Sequence, residues 1–207
     1  KYSETPSEST VKVINQKCIR DFQVNYELCR NHDLTKRKIS EEKMLSQYDV
    51  LVNSTGTGTL GRVAQLLDEI AITADSHVCI VRPNLEIVDP LYFGYLLKGK
   101  QAIIESLYTG STGQTELDKT ALSLLEVEII EDKEIQKKVG ETFRYLDEKI
   151  LNNTRMNQTL EKIAQRIFKS WFIDFDPVKA NSEGVPFADL SPDIQSLFPS
   201  EFVESEM

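Results

Sequence analysis

Gly56, Gly58 and Gly61 stand in the spacing G-x-G-x-x-G, directly after the apolar run Asp49-Val50-Leu51-Val52. A glycine loop that follows a strand lets backbone N–H groups approach a phosphate closely. With an acidic residue further on, here Asp75, the pattern is a dinucleotide-binding fingerprint. That fingerprint also requires a βαβ unit around the loop. The next apolar segments come too irregularly for one, and His77 has no matching acid–base partner. The loop reads instead as a backbone-exposing turn. Ser54, Thr55, Thr57 and Thr59 present hydroxyls and Arg62 adds a cation, a set suited to the phosphates of a free nucleotide or of DNA.

Three further groups could bear on a nucleic acid. Ser111-Thr112-Gly113-Gln114-Thr115 is a polar turn, and Gln is one of the two side chains that pair bidentately with adenine in the major groove. Lys36-Arg37-Lys38 is a basic run able to neutralise phosphates. Asn15, Gln16 and Lys17 follow a strand and add donors. Each alone is equally an ordinary solvated loop. Taken together they describe polar loops on a β scaffold, with no paired-carboxylate geometry, no Ser or Cys nucleophile motif and no expected metal or catalytic residue. Asp89-Pro90-Leu91-Tyr92 differs from the D-P-P-Y methyltransferase motif at its second Pro. It reads as a helix start, with Asp as cap and Pro in the first turn. Cys18, Cys29 and Cys79 are an odd, widely spaced set. No CxxC or HxxxH spacing joins them to His32 or His77, so reduced thiols in a cytoplasmic chain are expected, not a disulfide framework or a zinc site.

The elements that must position these loops fall into three parts. Residues 1–130 read as short β-branched strands (11–14, 49–52, 77–81, 127–130), with helices at 90–97 and 101–108. Strands outnumber helices and do not alternate with them. This predicts an α+β, mostly-β recognition domain, not a doubly wound sheet. Residues 131–175 read as one long helix. Its apolar seam runs Val139, Phe143, Leu146, Ile150, Asn153, Asn157, Leu160, Ala164, Ile167, Trp171, in steps that alternate four and three. Such a coiled-coil seam, roughly 50 Å long at 1.5 Å per residue, outruns what a domain of this size can cover and calls for a helical partner. The two Asn weaken the seam and fix its register. Residues 176–207 carry Pro177, Pro186, Pro192 and Pro199 and read as an extended strap with apolar anchors, among them Phe187, Leu190 and Phe202.

Composition bounds the function classes. The 207 residues are 40% hydrophobic and 28% charged, enough for a core. No apolar run of about 18 residues spans a membrane. The start at Lys1 shows no apolar leader and no Met, so a trimmed chain or a fragment is expected. The net charge of −9 is unevenly spread. Residues 1–125 hold −2, residues 126–173 are neutral, and residues 174–207 hold −7. The acidity therefore argues against DNA binding by the tail and says little about the rest.

Four segments resemble one family. Residues 49–64 (DVLVNSTGTGTLGRVA), 89–97 (DPLYFGYLL) and 110–117 (GSTGQTEL) are similar to the glycine loop, intervening helix and later polar turn of target-recognition domains in Type I restriction–modification specificity (S) subunits. Residues 163–178 (IAQRIFKSWFIDFDPV) resemble the end of the conserved spacer helix of that family and its exit strap. The resemblance implies a non-catalytic subunit that reads one half of a split double-stranded DNA site. It also implies antiparallel pairing of spacer helices as a ruler. Methyltransferase (M) subunits would dock on it and carry S-adenosylmethionine, and a restriction (R) subunit would use Mg/ATP. No cofactor is expected on this chain. A family member has two recognition domains and two spacers where this chain has one of each, so a second specificity half or a self-dimer is expected. Leu146, Ile150, Asn153, Asn157, Leu160, Ile167, Phe168, Trp171 and Phe172 are the expected partner residues. Two other classes stay open on residues alone: a small nucleotide-binding enzyme using the loop at 56–61, and a coiled-coil adaptor without a DNA role.

Overall fold

The computed structural model describes residues 2–3, 9–36, 38–110, 115–188 and 190–202. The chain forms two compact units, Lys1–Tyr145 and Leu146–Met207. The first unit holds strands β1 (Tyr2–Ser3), β2 (Thr10–Ile14), β3 (Ile19–Arg20), β4 (Gln23–Val24), β5 (Arg30–Asp33), β6 (Val50–Asn53), β7 (Val63–Gln65), β8 (Ile72–Ala74) and β9 (Val78–Val81). Helices α1 (Pro90–Gly99) and α2 (Gln101–Ser106), strands β10 (Tyr108–Thr109) and β11 (Glu116–Leu117), and helix α3 (Lys119–Ser123) follow. Helix α4 (Lys133–Phe168) starts in this unit and runs on into the second.

Two sheets make the scaffold. One has the order β1-β5-β2-β8, in which β2 and β8 are parallel and the other pairs antiparallel. The other is the antiparallel sheet β7-β6-β9. All four residues of β6 are buried. Leu51 faces a core with Ile14, Ile19, Leu66 and Ile72, while Val50 and Val52 face a second core with Val63, Leu97 and Ile104. A strand covered on both faces has no polar side, which is why this segment is a continuous apolar run. The Asp89 carboxylate caps α1 by accepting from Tyr92 N–H at 3.0 Å, and Pro90 occupies its first turn, as expected.

Residues 127–130, expected as a strand, join no ladder. They are extended chain pinned by side chains: Ile130 N–H donates to the Tyr92 hydroxyl at 3.2 Å, and Ile130 C=O accepts from Gln136 at 2.5 Å. The compact unit also continues past residue 130, because the first turns of α4 pack on α1.

In the second unit α4 ends in a π-helical turn at Lys169–Ile173. Helices α5 (Asp176–Glu183) and α6 (Pro192–Gln195) follow, where an extended strap was expected. The signals are local: Pro177 lies in the first turn of α5, and Gly184 ends it at φ +68°. The Asn181 side chain then ties the segment together by donating to Gln195 C=O and Phe198 C=O. Trp171 stacks edge-on against Phe198 at 5.7 Å. Among the described residues no helix is long and apolar enough to cross a membrane.

Candidate nucleic-acid interface

Register brings the polar loops together. Because β2 and β8 are parallel with Ile14 beside Ala74, the turns that leave them, residues 15–17 and 75–77, emerge side by side. Because Asn53 of β6 faces Val78 of β9, the glycine loop leaves β6 at the same rim. Asn53, fully buried, bolts two of these loops: its Nδ2 donates to Gln16 C=O and to Thr59 C=O, each at 3.0 Å.

Thr55 is the hub. Its hydroxyl donates to Gln16 Oε1 at 2.9 Å and lies 2.9 Å from His77 Nδ1. With the hydroxyl proton given to Gln16, His77 Nδ1 carries a proton and donates to Thr55. Thr55 also bridges Glu116, and Leu117 N–H donates to Ser54 C=O at 2.8 Å. This hooks the β10–β11 ribbon to the glycine loop. Gly56 makes the approach of Gln16 feasible: it sits at φ +106°, and a Cβ there would stand 2.7 Å from Gln16 Oε1.

The loop at 56–61 does not open a helix. Gly61 N–H returns to Asn53 C=O at 2.8 Å and the chain re-enters the same sheet as antiparallel β7. The helix N-terminus that a dinucleotide fingerprint uses for its pyrophosphate therefore does not follow this loop.

The expected site residues divide. Gln16, Lys17, Thr55, Thr57, Thr59 and Arg62 lie in the gathered loops, Lys17 and Thr57 exposed and the other four half-buried. Asn15 and Ser54 are buried and serve the fold: Asn15 Oδ1 accepts from Lys17 N–H at 2.9 Å, and Ser54 Oγ donates to Ser76 C=O at 3.4 Å. Lys36 lies in the turn after β5 and pairs with Asp33 at 3.5 Å. The Asp33 carboxyl is held below its usual range, first by the Thr35 hydroxyl at 2.6 Å. Lys36 thus faces a persistent local anion, which weakens it as a phosphate ligand. Lys38 is exposed and lines a cleft of about 460 Å³ with Lys43, Asp75 and Ser76. Arg37, Ser111, Thr112 and Gln114 lie outside the described residues.

His77 and Arg30 were not singled out as DNA-facing from sequence, yet they line a polar cleft of about 240 Å³ with Gln16, Lys17 and Asp75. The available signal was the Asp75-Ser76-His77 turn, in which His77 N–H donates to Asp75 Oδ1 at 2.9 Å. It is a polar turn beside a strand end, like Asn15-Gln16-Lys17. Among the described residues no cluster of His, Cys, Asp or Glu could hold a metal ion.

On α4 the expected partner residues lie open. Leu146 is 48% exposed, Ile150 63%, Leu160 56% and Phe168 58%. Asn153, Asn157 and Ile167 are exposed on the same seam, as is Phe172 in the π turn, whereas Trp171 is half-buried.

A family model described as the Type I restriction modification DNA specificity domain matches residues 10–162. The Type I restriction enzyme HindI specificity subunit of Haemophilus influenzae is 34% identical over 151 residues, covering 70% of this chain and 32% of that protein. The MjaIX specificity subunit of Methanocaldococcus jannaschii is 40% identical over 104 residues, covering 50% and 24%. Among solved structures, the S subunit of a Type I restriction–modification system from M. genitalium superposes with a TM-score of 0.56 at 19% identity. The HsdS subunit from Thermoanaerobacter tengcongensis gives 0.53 at 14%. Both cover 88% of this chain and 45% of the solved one, and they share its fold. The chain thus spans a third or less of the length of these curated relatives.

Proposed function

The chain belongs to the Type I restriction–modification DNA specificity family, and from that premise we propose that it is a non-catalytic reader of one half of a split DNA site. The observation that carries this reading is the hub at Thr55, where turns from three separate strand ends and the β10–β11 ribbon meet on one rim. Bases are read by side chains held at fixed positions in a groove, and a buried bolt such as Asn53 holds them there. Gln16 and His77 offer base-edge groups, and Lys17 and Lys38 offer cations to phosphates. At −2 the recognition region is a poor non-specific binder, so selectivity comes from this chain and much of the affinity from its partners.

Those partners are M subunits, which bind S-adenosylmethionine and methylate adenine, and an R subunit, which uses Mg/ATP. The open seam of α4 receives a second spacer helix, from a second specificity half or from another copy of this chain. At about 1.5 Å per residue the helix spans roughly 54 Å and sets the gap between half-sites.

The test is a methylome. The chain is expressed with its M subunit in methylation-free cells, and the DNA is sequenced for N6-methyladenine. A split motif that disappears without the chain is the expected result, palindromic if the chain self-pairs. Methylation that is independent of the chain would overturn the reading.

A further inference from the structure

The turn that carries Gln16 and Lys17 is closed by a cysteine. Cys18 is fully buried; its N–H donates to Asn15 C=O at 2.9 Å, and its Sγ accepts from Asn15 N–H at 3.4 Å. The fold sets Cys29, eleven residues on, against it: the Cys29 thiol donates to Cys18 Sγ with the two sulfurs 3.8 Å apart. Cys29 is half-buried, at the edge between a 3₁₀ turn and β5, so one member of the pair is reachable and the other is not. Cys79 stands apart, in an apolar cleft with Phe93 and Leu97.

We propose that Cys18 and Cys29 are a peroxide-oxidisable dithiol whose closure resets the turn holding Gln16 and Lys17. The chemistry needs only hydrogen peroxide. Cys18, as thiolate, takes the Cys29 proton across the S–H···S hydrogen bond; the Cys29 sulfur attacks one peroxide oxygen, the O–O bond breaks, and Cys29 becomes a sulfenic acid as the leaving hydroxide takes that proton back from Cys18 to give water. The Cys18 thiolate then attacks the Cys29 sulfur; the S–S bond forms, the S–O bond breaks, and a second water leaves. Two thiols are oxidised by two electrons and one peroxide is reduced to two waters. The hydrogen bond from Cys29 holds Cys18 down to about 7 against the opposing effect of burial, and the same bond together with burial pushes the Cys29 thiol up, so Cys18 is the base that takes the Cys29 proton near neutrality.

Closure to a bond of about 2.05 Å pulls Cys18 Sγ away from Asn15 N–H. Because Cys18 N–H and Asn15 C=O form the same turn, residues 16 and 17 move with it. Gln16 then loses its alignment with Thr55. The effect on DNA reading rests on the functional reading above, whereas the disulfide itself does not.

The full chain is treated with hydrogen peroxide, then mapped by intact mass and by peptides under non-reducing conditions. The expected result is the loss of two hydrogens, a peptide linking Cys18 to Cys29, and reversal by dithiothreitol. Cys79→Ser keeps the link and Cys29→Ser abolishes it. Folded wild-type chain that gives no such link, or that carries Cys29 straight to sulfinic acid, overturns the pairing. In the assembled complex, oxidation lowers methylation at the chain's own motif about tenfold, the cost of roughly one lost base contact. A linked chain that methylates at the reduced rate overturns the control of DNA reading while leaving the family function intact. Absence of any motif from the reduced complex counts against the functional reading alone.

Discussion

Gln136 Oε1 accepts a hydrogen bond from the backbone N–H of Asp89 at 2.7 Å, and the same Asp89 caps α1 through its carboxylate. The Gln136 amide meanwhile donates to Ile130 C=O at 2.5 Å. One fully buried side chain therefore joins the start of the long helix both to the cap of α1 and to the chain that leads into it. Within residues 1–145 this ties the start of the helix to the first unit.

Replacing Gln136 by Leu leaves the half-buried Asp89 N–H and Ile130 C=O without their side-chain partner, each costing up to about 1–3 kcal/mol. The expected loss of stability is about 2–4 kcal/mol, read by chemical denaturation of the full chain. The loops at Thr55 lie on other elements, so near-native DNA selectivity should persist where the variant remains folded. A Gln136→Leu chain of unchanged stability would show that the two bonds contribute nothing net.

Gly140, one turn further along the same face, is spaced for contact. A Cβ there would lie 2.6 Å from Tyr92 N and 2.9 Å from Leu91 Cβ. Alanine favours an α-helix over glycine by about 1 kcal/mol, but the overlap forces α4 off α1 at a typical cost of 1–3 kcal/mol. Gly140→Ala should therefore destabilise. Gly99→Ala, whose Cβ meets nothing within 4 Å, should be neutral or stabilising. Thermal melts of the two variants side by side decide the matter; equal shifts would remove the packing argument.

What could be read ahead of the structure was local. The buried run of β6 and the Asp89–Pro90 start of α1 announce themselves through composition and capping chemistry. The 3–4 spacing of the α4 seam does so through periodicity, and its exposed side chains agree. The gathering of Gln16, Thr55 and His77 depends on a parallel pairing between strands some sixty positions apart, which no local pattern encodes. Val127-Glu128-Ile129-Ile130 has the composition of a strand, but composition says nothing of whether a partner edge exists. Helix α5 carries its start signal in Pro177, but four prolines spread over residues 176–207 also have the composition of an extended strap, and composition alone does not separate the two. The approach of Cys18 to Cys29 was invisible to motif spacing for the reason that hid His77: it is set by tertiary pairing.

Thr55→Val removes the hydroxyl that joins Gln16 to His77 while keeping the volume. A hydrogen bond of this kind contributes about 1 kcal/mol, so the protein should stay folded. The expected effect falls on function: methylation at the motif weakens or its base preference broadens, and Thr55→Ser restores both. Lys17→Ala should act differently, lowering DNA affinity uniformly across sequences and reducing the slope of log affinity against log salt by about 1. The two variants separate positioning of base contacts from phosphate neutralisation. Methylation unchanged by either would take this rim out of the DNA interface.

The seam of α4 offers the last test, because its exposure and its chemistry point in opposite directions. Leu146, Ile150 and Leu160 lie on a helix that alone gains nothing from keeping them in water. Transferring three such side chains into a helical interface is worth about 1.5–3 kcal/mol each before ordering costs. Exchanging Ile150 for Asp removes one contribution and sets a charge on the seam; in a self-paired chain it does so twice. The first unit, whose cores do not include these residues, should unfold as before. Sedimentation of the Ile150→Asp chain, alone and with the M subunit, should therefore show loss of the paired species, while the denaturation midpoint of the first unit holds. If pairing survives the charge, the partner helix does not lie on this seam, and the proposed pairing runs through another face.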